Sequence, residues 1–138
     1  MDKLVTCLWF DTEGEDAARF YTSIFPGSEL GEITRYGSAG PRAEGTVMTV
    51  GFELMGQEFV ALNGGPNYTF NQAISFQILC DSQEEVDRYW EQLTDGGEEG
   101  PCGWLTDRFG CRGRSFRRCS PACCSSRTPR SLSASWRR

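Results

Sequence analysis

The chain repeats itself. Asp11-Thr12-x-x-Glu15 returns as Asp81-Ser82-x-x-Glu85, and Arg19-Phe20-Tyr21 returns as Arg88-Tyr89-Trp90. Self-similarity at this spacing means one supersecondary unit used twice. Each copy begins with an apolar run, passes into a helix signature and continues into further strand-like segments. The expected architecture is α+β in one domain over residues 1–110, built of two modules at about 1–66 and 70–110.

In the first copy, residues 4–10 (LVTCLWF) read as a strand, and Thr12 with Glu15 forms a capping box. Ala17, Phe20, Tyr21 and Ile24 share one helical face, and Pro26-Gly27 stops the helix. Strands are expected over 29–36, 45–54 and 58–63, with a hairpin turn at Met55-Gly56-Gln57. In the second copy, 73–80 is a strand and Ser82 with Glu85 is again a capping box. Val86, Tyr89, Trp90 and Leu93 form the buried face, and Gly96-Gly97 closes the helix. A short piece at 98–100 and a strand at 103–108 follow.

After Gly110 the composition breaks. All nineteen acidic residues and six basic ones precede Cys111; from Cys111 onward come eight arginines, seven serines, four of the seven cysteines and no acid. One permitted set of codons for residues 110–119, read one base earlier, gives LSWQIVPTVL. Carrying that frame to residue 138 gives PRLLLEPDPEKSQRVMEA. The first piece alternates like a strand and the second reads as a turn and an amphipathic helix. We therefore expect residues 111–138 to be an aberrant, frameshifted and disordered tail. The last strand of the second module is then missing or replaced.

Several function classes fall away. The acidic body argues against a nucleic-acid partner. No stretch approaches the roughly 18 apolar residues of a membrane span, and the N-terminus lacks a signal peptide's pattern. The expectation is a cytoplasmic protein with free thiols at Cys7, Cys80 and Cys102. Cys119, Cys123 and Cys124 lack the paired spacing of a zinc site, and the chain has no histidine, so no metal is expected. No triad, phosphate loop or HExxH motif occurs, and no glycine-rich cofactor loop follows the first strand. No cofactor is expected.

The segments CLWFD (7–11), AARFYTSIFP (17–26), ALNGGP (61–66), FNQAISFQ (70–77), EEVDRYWEQL (84–93) and GGEEGPCGWLTDRFG (96–110) resemble the vicinal oxygen chelate superfamily. They are most similar to its PhnB-like branch, which carries a demethylubiquinone methyltransferase label. The resemblance implies two βαβββ modules whose curved sheets cup a small-molecule site, commonly in a homodimer. In metal-dependent relatives, ligands come from the first strand and the end of the fourth strand of each module. It implies a protein that binds an unidentified small molecule without metal. The alternatives are an enzyme of the same fold (a lyase, isomerase, dioxygenase or the labelled methyltransferase) and an antibiotic-sequestering resistance protein.

Five residues are candidates for the ligand site, each with a structural alternative. Trp9 and Trp104 line the cup or pack in the core or a dimer interface. Asn63, with Gly64-Gly65, presents donors to a ligand or simply makes a strand-end turn. Ser75 and Gln77 alternate with Phe76 and Ile78, so they face the cup or a solvated sheet surface. Cys102 is an ordinary free thiol, Asp107 and Arg108 form a local surface pair, and Glu13, Glu15 and Asp16 complement a helix dipole.

Overall fold

The structure, a computed structural model, describes residues 4–117. It divides into two compact units, one up to Thr69 and one from Phe70. The first contains β1 (Thr6–Phe10), α1 (Gly14–Ile24), β2 (Glu29–Arg35), β3 (Val47–Leu54) and β4 (Gln57–Asn63). Its sheet runs β1-β4-β3-β2, with β1 parallel to β4 and the other neighbours antiparallel. Alternation along the strands sends Leu8, Phe10, Val50, Phe52, Phe59 and Ala61 to one face, where all are buried. On α1, Ala17, Ala18, Tyr21 and Ile24 are buried in turn. The two alanines are fully buried and allow the helix to lie close. Tyr21 stacks on Phe52 and Phe52 on Phe59, with ring centroids 6.3 and 5.3 Å apart. Each large side chain removed from water this way contributes about 1.5–3 kcal/mol.

The hairpin turn is tighter than the sequence indicates. Only Met55 and Gly56 lie between β3 and β4, with φ of 52° and 88°. Two positive φ values mark a type I′ turn, whose twist matches that of the strands it joins.

The second unit contains β5 (Phe76–Cys80), α2 (Gln83–Thr94), β6 (Glu98–Glu99), a 3₁₀ turn at Pro101–Gly103, β7 (Trp104–Thr106) and β8 (Arg112–Arg117). Its sheet order, β5-β8-β7-β6, reproduces that of the first unit, with β5 parallel to β8. Both units are therefore βαβββ, and the fold is α+β as expected. Val86, Tyr89, Trp90 and Leu93 face the sheet, and the Trp90 indole N–H donates to Glu99 at 3.0 Å, tying α2 to β6.

Three expectations need correction. The boundary at residue 110 is too early: of the two expectations for the closing strand of the second unit, missing or replaced, the strand is present, and residues 112–117 supply it, pairing with β5 on one side and β7 on the other. Ladder hydrogen bonds come from the backbone, so an unfavourable side-chain sequence can still pair. The inward positions Cys111, Gly113 and Ser115 are small and buried, which lets the strand dock. The remainder of the expected tail, including Cys119, Cys123 and Cys124, lies outside the described residues.

The first capping box does not form. Thr12 is exposed, the helix begins at Gly14 after Glu13, and no side chain of the N-cap residue caps it. The second box does form: Ser82 Oγ accepts from Glu85 N at 3.2 Å, while Glu85 Oε2 accepts from Asp81 N at 2.8 Å. Asp107, expected as a surface partner of Arg108, is buried. Its Oδ1 accepts from the backbone of Phe109 (2.9 Å) and Cys111 (3.0 Å), shaping the β7–β8 loop. Arg108 instead pairs with Asp95 at 3.2 Å.

Cys80, at the end of β5, is fully buried, and burial pushes its thiol up from 9.0 to about 11. The unfolded chain loses this proton first. The group's contribution to stability is therefore intact below about pH 9 and is lost as the pH rises through about 11. Denaturant melts of wild type and Cys80→Ala between pH 8 and 11 should show the difference between the two shrinking across that window. A difference independent of pH would contradict the burial argument.

Candidate functional site

Each unit has one sheet face packed on its helix and one that the helix does not cover. In the first unit the uncovered face carries Cys7 and Trp9 of β1, Val60 and Leu62 of β4, and Thr49 of β3, all exposed or half-buried. The Thr34 and Thr49 hydroxyls hydrogen-bond across β2 and β3. Trp9 is held firmly. Its indole N–H donates to the Gly65 carbonyl at 2.9 Å, and Tyr68 meets its ring edge-on at 5.0 Å. The ring lies so close to Gly64 that a Cβ there would come within 2.3 Å of it. Gly64-Gly65 is thus a seat for the indole, which a turn reading of the pair alone does not anticipate.

Asn63 lies on the opposite face. It pairs with Phe10, while Trp9 pairs with Leu62, so the two neighbouring candidates point to different sides of the sheet. The amide is buried and committed: Oδ1 accepts from Gly14 N at 2.8 Å and Nδ2 donates to the Val47 carbonyl at 3.2 Å. Its backbone carbonyl accepts from the Tyr36 hydroxyl at 2.7 Å. Asn63 therefore caps α1 from across the sheet and binds the β2–β3 loop. That is a structural role, different from both the ligand and the simple turn readings.

A cavity of about 530 Å³ opens near the start of α1, lined by Asp11, Thr12, Glu15, Arg42, Thr46 and Asn63 among others. Several of its polar groups are engaged in structural contacts. Arg42 donates to the Asp11 carbonyl at 2.6 Å and to its carboxylate at 3.2 Å, latching the loop before β3 onto the β1–α1 turn. Glu15 pairs with Arg19 at 2.7 Å. This groove reads as a loop junction.

In the second unit the uncovered face gathers two of the candidates. Gln77 pairs with Arg114 across β5 and β8, and Arg114 pairs with Trp104 across β8 and β7. Gln77, Arg114 and Trp104 therefore form one row of side chains over three strands. Arg112, two residues along β8, lies on the same face. The guanidinium carbons of Arg112 and Arg114 stand 4.9 and 5.0 Å from the Trp104 ring centroid. Ser75 does not join this row; it precedes β5, half-buried beside Phe76. The two arginines were missed because they begin the segment set aside as a foreign tail. The signal that marks them is the period-two pattern of residues 111–115 (CRGRS), small residues in and arginines out.

The positions that carry metal in metal-dependent relatives offer Thr6, Cys7 and Asn63 here, then Ser75, Gln77 and strand β8. The Asn63 amide is spent on the backbone, and β8 presents guanidinium groups to the uncovered face. Cations and engaged amides do not fit a divalent metal. Among the described residues, no three His, Cys, Asp or Glu side chains gather in a ligating group. No helix of the described residues is long and apolar enough to cross a membrane.

The sequence profile of the family described as 3-demethylubiquinone-9 3-methyltransferase matches residues 2–113. Among solved structures, a putative 3-demethylubiquinone-9 3-methyltransferase, PhnB protein, from Bacillus cereus is 33% identical with a TM-score of 0.75. It aligns over 85% of this chain and 100% of its own. A Pseudomonas aeruginosa protein is 20% identical with a TM-score of 0.65, over 86% of this chain and 100% of its own. The fosfomycin resistance protein of Listeria monocytogenes shares the fold at 15% identity and a TM-score of 0.58, over 86% of this chain and 94% of its own. No curated protein matches. Profile, identity and strand order agree: the chain belongs to the PhnB-like family labelled 3-demethylubiquinone-9 3-methyltransferase, within the glyoxalase and bleomycin-resistance fold.

Proposed function

We propose that this protein binds a small, flat organic molecule against the sheet faces its helices leave uncovered, without a protein-held metal ion. The observation that carries this reading is the placement of one half-exposed tryptophan on each such face, Trp9 beside Leu62 in the first unit and Trp104 beside Arg114 in the second. A ring held in place by its own contacts gives a planar ligand a surface without an ordering cost at binding. Trp9, pinned by Gly65 and Tyr68, meets that description.

Anilinonaphthalene sulfonate, a planar fluorescent anion that accepts energy from tryptophan, is a suitable probe. The folded protein, shown to be folded by a cooperative melt, should bind it saturably with energy transfer. Trp9→Phe and Trp104→Phe should each lower the transfer, and prior dialysis against EDTA should leave the affinity unchanged. Binding that appears only in partly unfolded protein would defeat the ligand-surface reading. Loss of binding after EDTA would defeat the metal-free one.

We also propose that residues 111 onward are read out of the frame in which this fold arose. The alternative frame puts leucine, tryptophan and isoleucine where this chain buries Cys111, Gly113 and Ser115, and puts serine and glutamine at the outward positions of Arg112 and Arg114. Apolar residues falling at the three inward positions of a strand is the support for this reading.

A further inference from the structure

The arginine pair of β8 gives the second unit's uncovered face a chemistry that a flat apolar ligand does not need. Arg114 lies directly opposite Trp104, and Arg112 is its diagonal neighbour on the same strand face. Two guanidinium groups at 4.9 and 5.0 Å from one ring centroid are held by cation–π attraction, which offsets part of their mutual repulsion. Buried Leu105, Gly113 and Ser115 occupy the other side of the same strands, so both forks project away from α2. A carboxylate is present on this face at Glu98, opposite Thr106, which is itself opposite Arg112. It stands two strands away from Arg112, and no ion pair joins the two among the described residues.

We propose that the Arg112–Trp104–Arg114 cluster is a binding site for an oxyanion, the carboxylate or phosphate group of a small molecule. Gln77 supplies a neutral amide at its edge. The proposal rests on the uncovered sheet face being a ligand surface and names the group that face selects. Guanidinium forks meet two oxygens at once and stay charged at every accessible pH. The indole restrains both arginines beforehand, which reduces the ordering cost of binding. The site belongs to the chain as encoded: the alternative frame would replace both arginines with serine and glutamine and leave the face neutral.

The test uses the full chain, titrated separately with inorganic phosphate and with benzoate at an ionic strength held constant with chloride. Tryptophan emission is the readout. Saturation with phosphate alone identifies a phosphate site, and saturation with benzoate alone a carboxylate site. Arg114→Gln should weaken the saturating probe by about tenfold or more, and Arg112→Ser combined with Arg114→Gln should abolish saturation. Arg114→Lys, which keeps the charge but not the fork, should fall between. Both arginines face outward, and a cooperative melt of the double variant verifies that it folds. A linear response to both probes, or equal affinity in the double variant, would overturn the proposal. Anilinonaphthalene sulfonate separates the two levels. If wild type binds it but neither oxyanion, the oxyanion site fails alone; if wild type binds none of the three, the ligand-surface reading fails as well.

Discussion

Asn63→Ala should destabilise the protein by about 3 kcal/mol, measured by urea or thermal denaturation, the largest loss expected from any single polar side chain described above. Three structural ties converge on this residue: the first N–H of α1, the Val47 carbonyl and, through its own backbone, the Tyr36 hydroxyl. The substitution leaves the Gly14 N–H and the Val47 carbonyl without their partner in a buried region. Each orphaned group costs about 1–3 kcal/mol, and the vacated volume adds to that. Asn63→Asp separates the two halves of the role. A carboxylate still accepts from Gly14 and suits a helix N-terminus, but it repels the Val47 carbonyl. It should therefore cost less than alanine and more than nothing. A loss under about 1 kcal/mol for Asn63→Ala would show that water replaces the amide and that the hub reading is wrong.

The opposite sign is expected at Ser115. This residue is 1% exposed, and its hydroxyl has no hydrogen-bond partner among the described residues. It faces the core of the second unit from β8, paired with Ile78. An unsatisfied buried hydroxyl costs about 1–3 kcal/mol, so Ser115→Ala should raise stability by removing it. Ser115→Ile should raise it further, because it adds apolar contact at a position where the alternative frame has isoleucine. A gain of about 2 kcal/mol in total corresponds to roughly 6–12 °C in Tm for a domain of this size. If alanine stabilises and isoleucine does not, the core is complete around a small residue, and the frame reading loses this support. Sequencing the gene through codons 105–115 checks that reading directly, and an unbroken frame would end it.

Much of the architecture was legible in the chain because it is governed by local rules. The apolar faces of α1 and α2, the Ser82 cap and the β3–β4 turn all depend on residues within a few positions of one another. The errors concern contacts distant in sequence. Thr12 looked like the cap of α1, but the helix begins after Glu13 and its first N–H, that of Gly14, is taken by Asn63, forty-nine positions away. No local pattern announces such a partner. Trp9 and Asn63 looked like neighbours at one site until the register placed them on opposite faces. Gln77 and Trp104 were legible singly, yet their connection runs through Arg114, whose segment looked foreign on charge and composition. Backbone pairing is indifferent to such signals, which is why β8 forms where its side chains gave little reason to expect it.

The parallel pairing of β1 with β4 and of β5 with β8 sets an order of events on the ribosome. The opening strand of each unit emerges first and is satisfied last. Thr6–Phe10, an edge strand, waits without a strand partner in its sheet until Gln57–Asn63 is synthesised; Phe76–Cys80 waits likewise for Arg112–Arg117. The first wait ends with ample chain still to come. The second ends only after translation has passed codon 110, where the composition of the chain changes. A nascent second unit is thus exposed through the very stretch whose coding is in question, and its yield in the cell becomes a sensitive reporter of how that stretch is read.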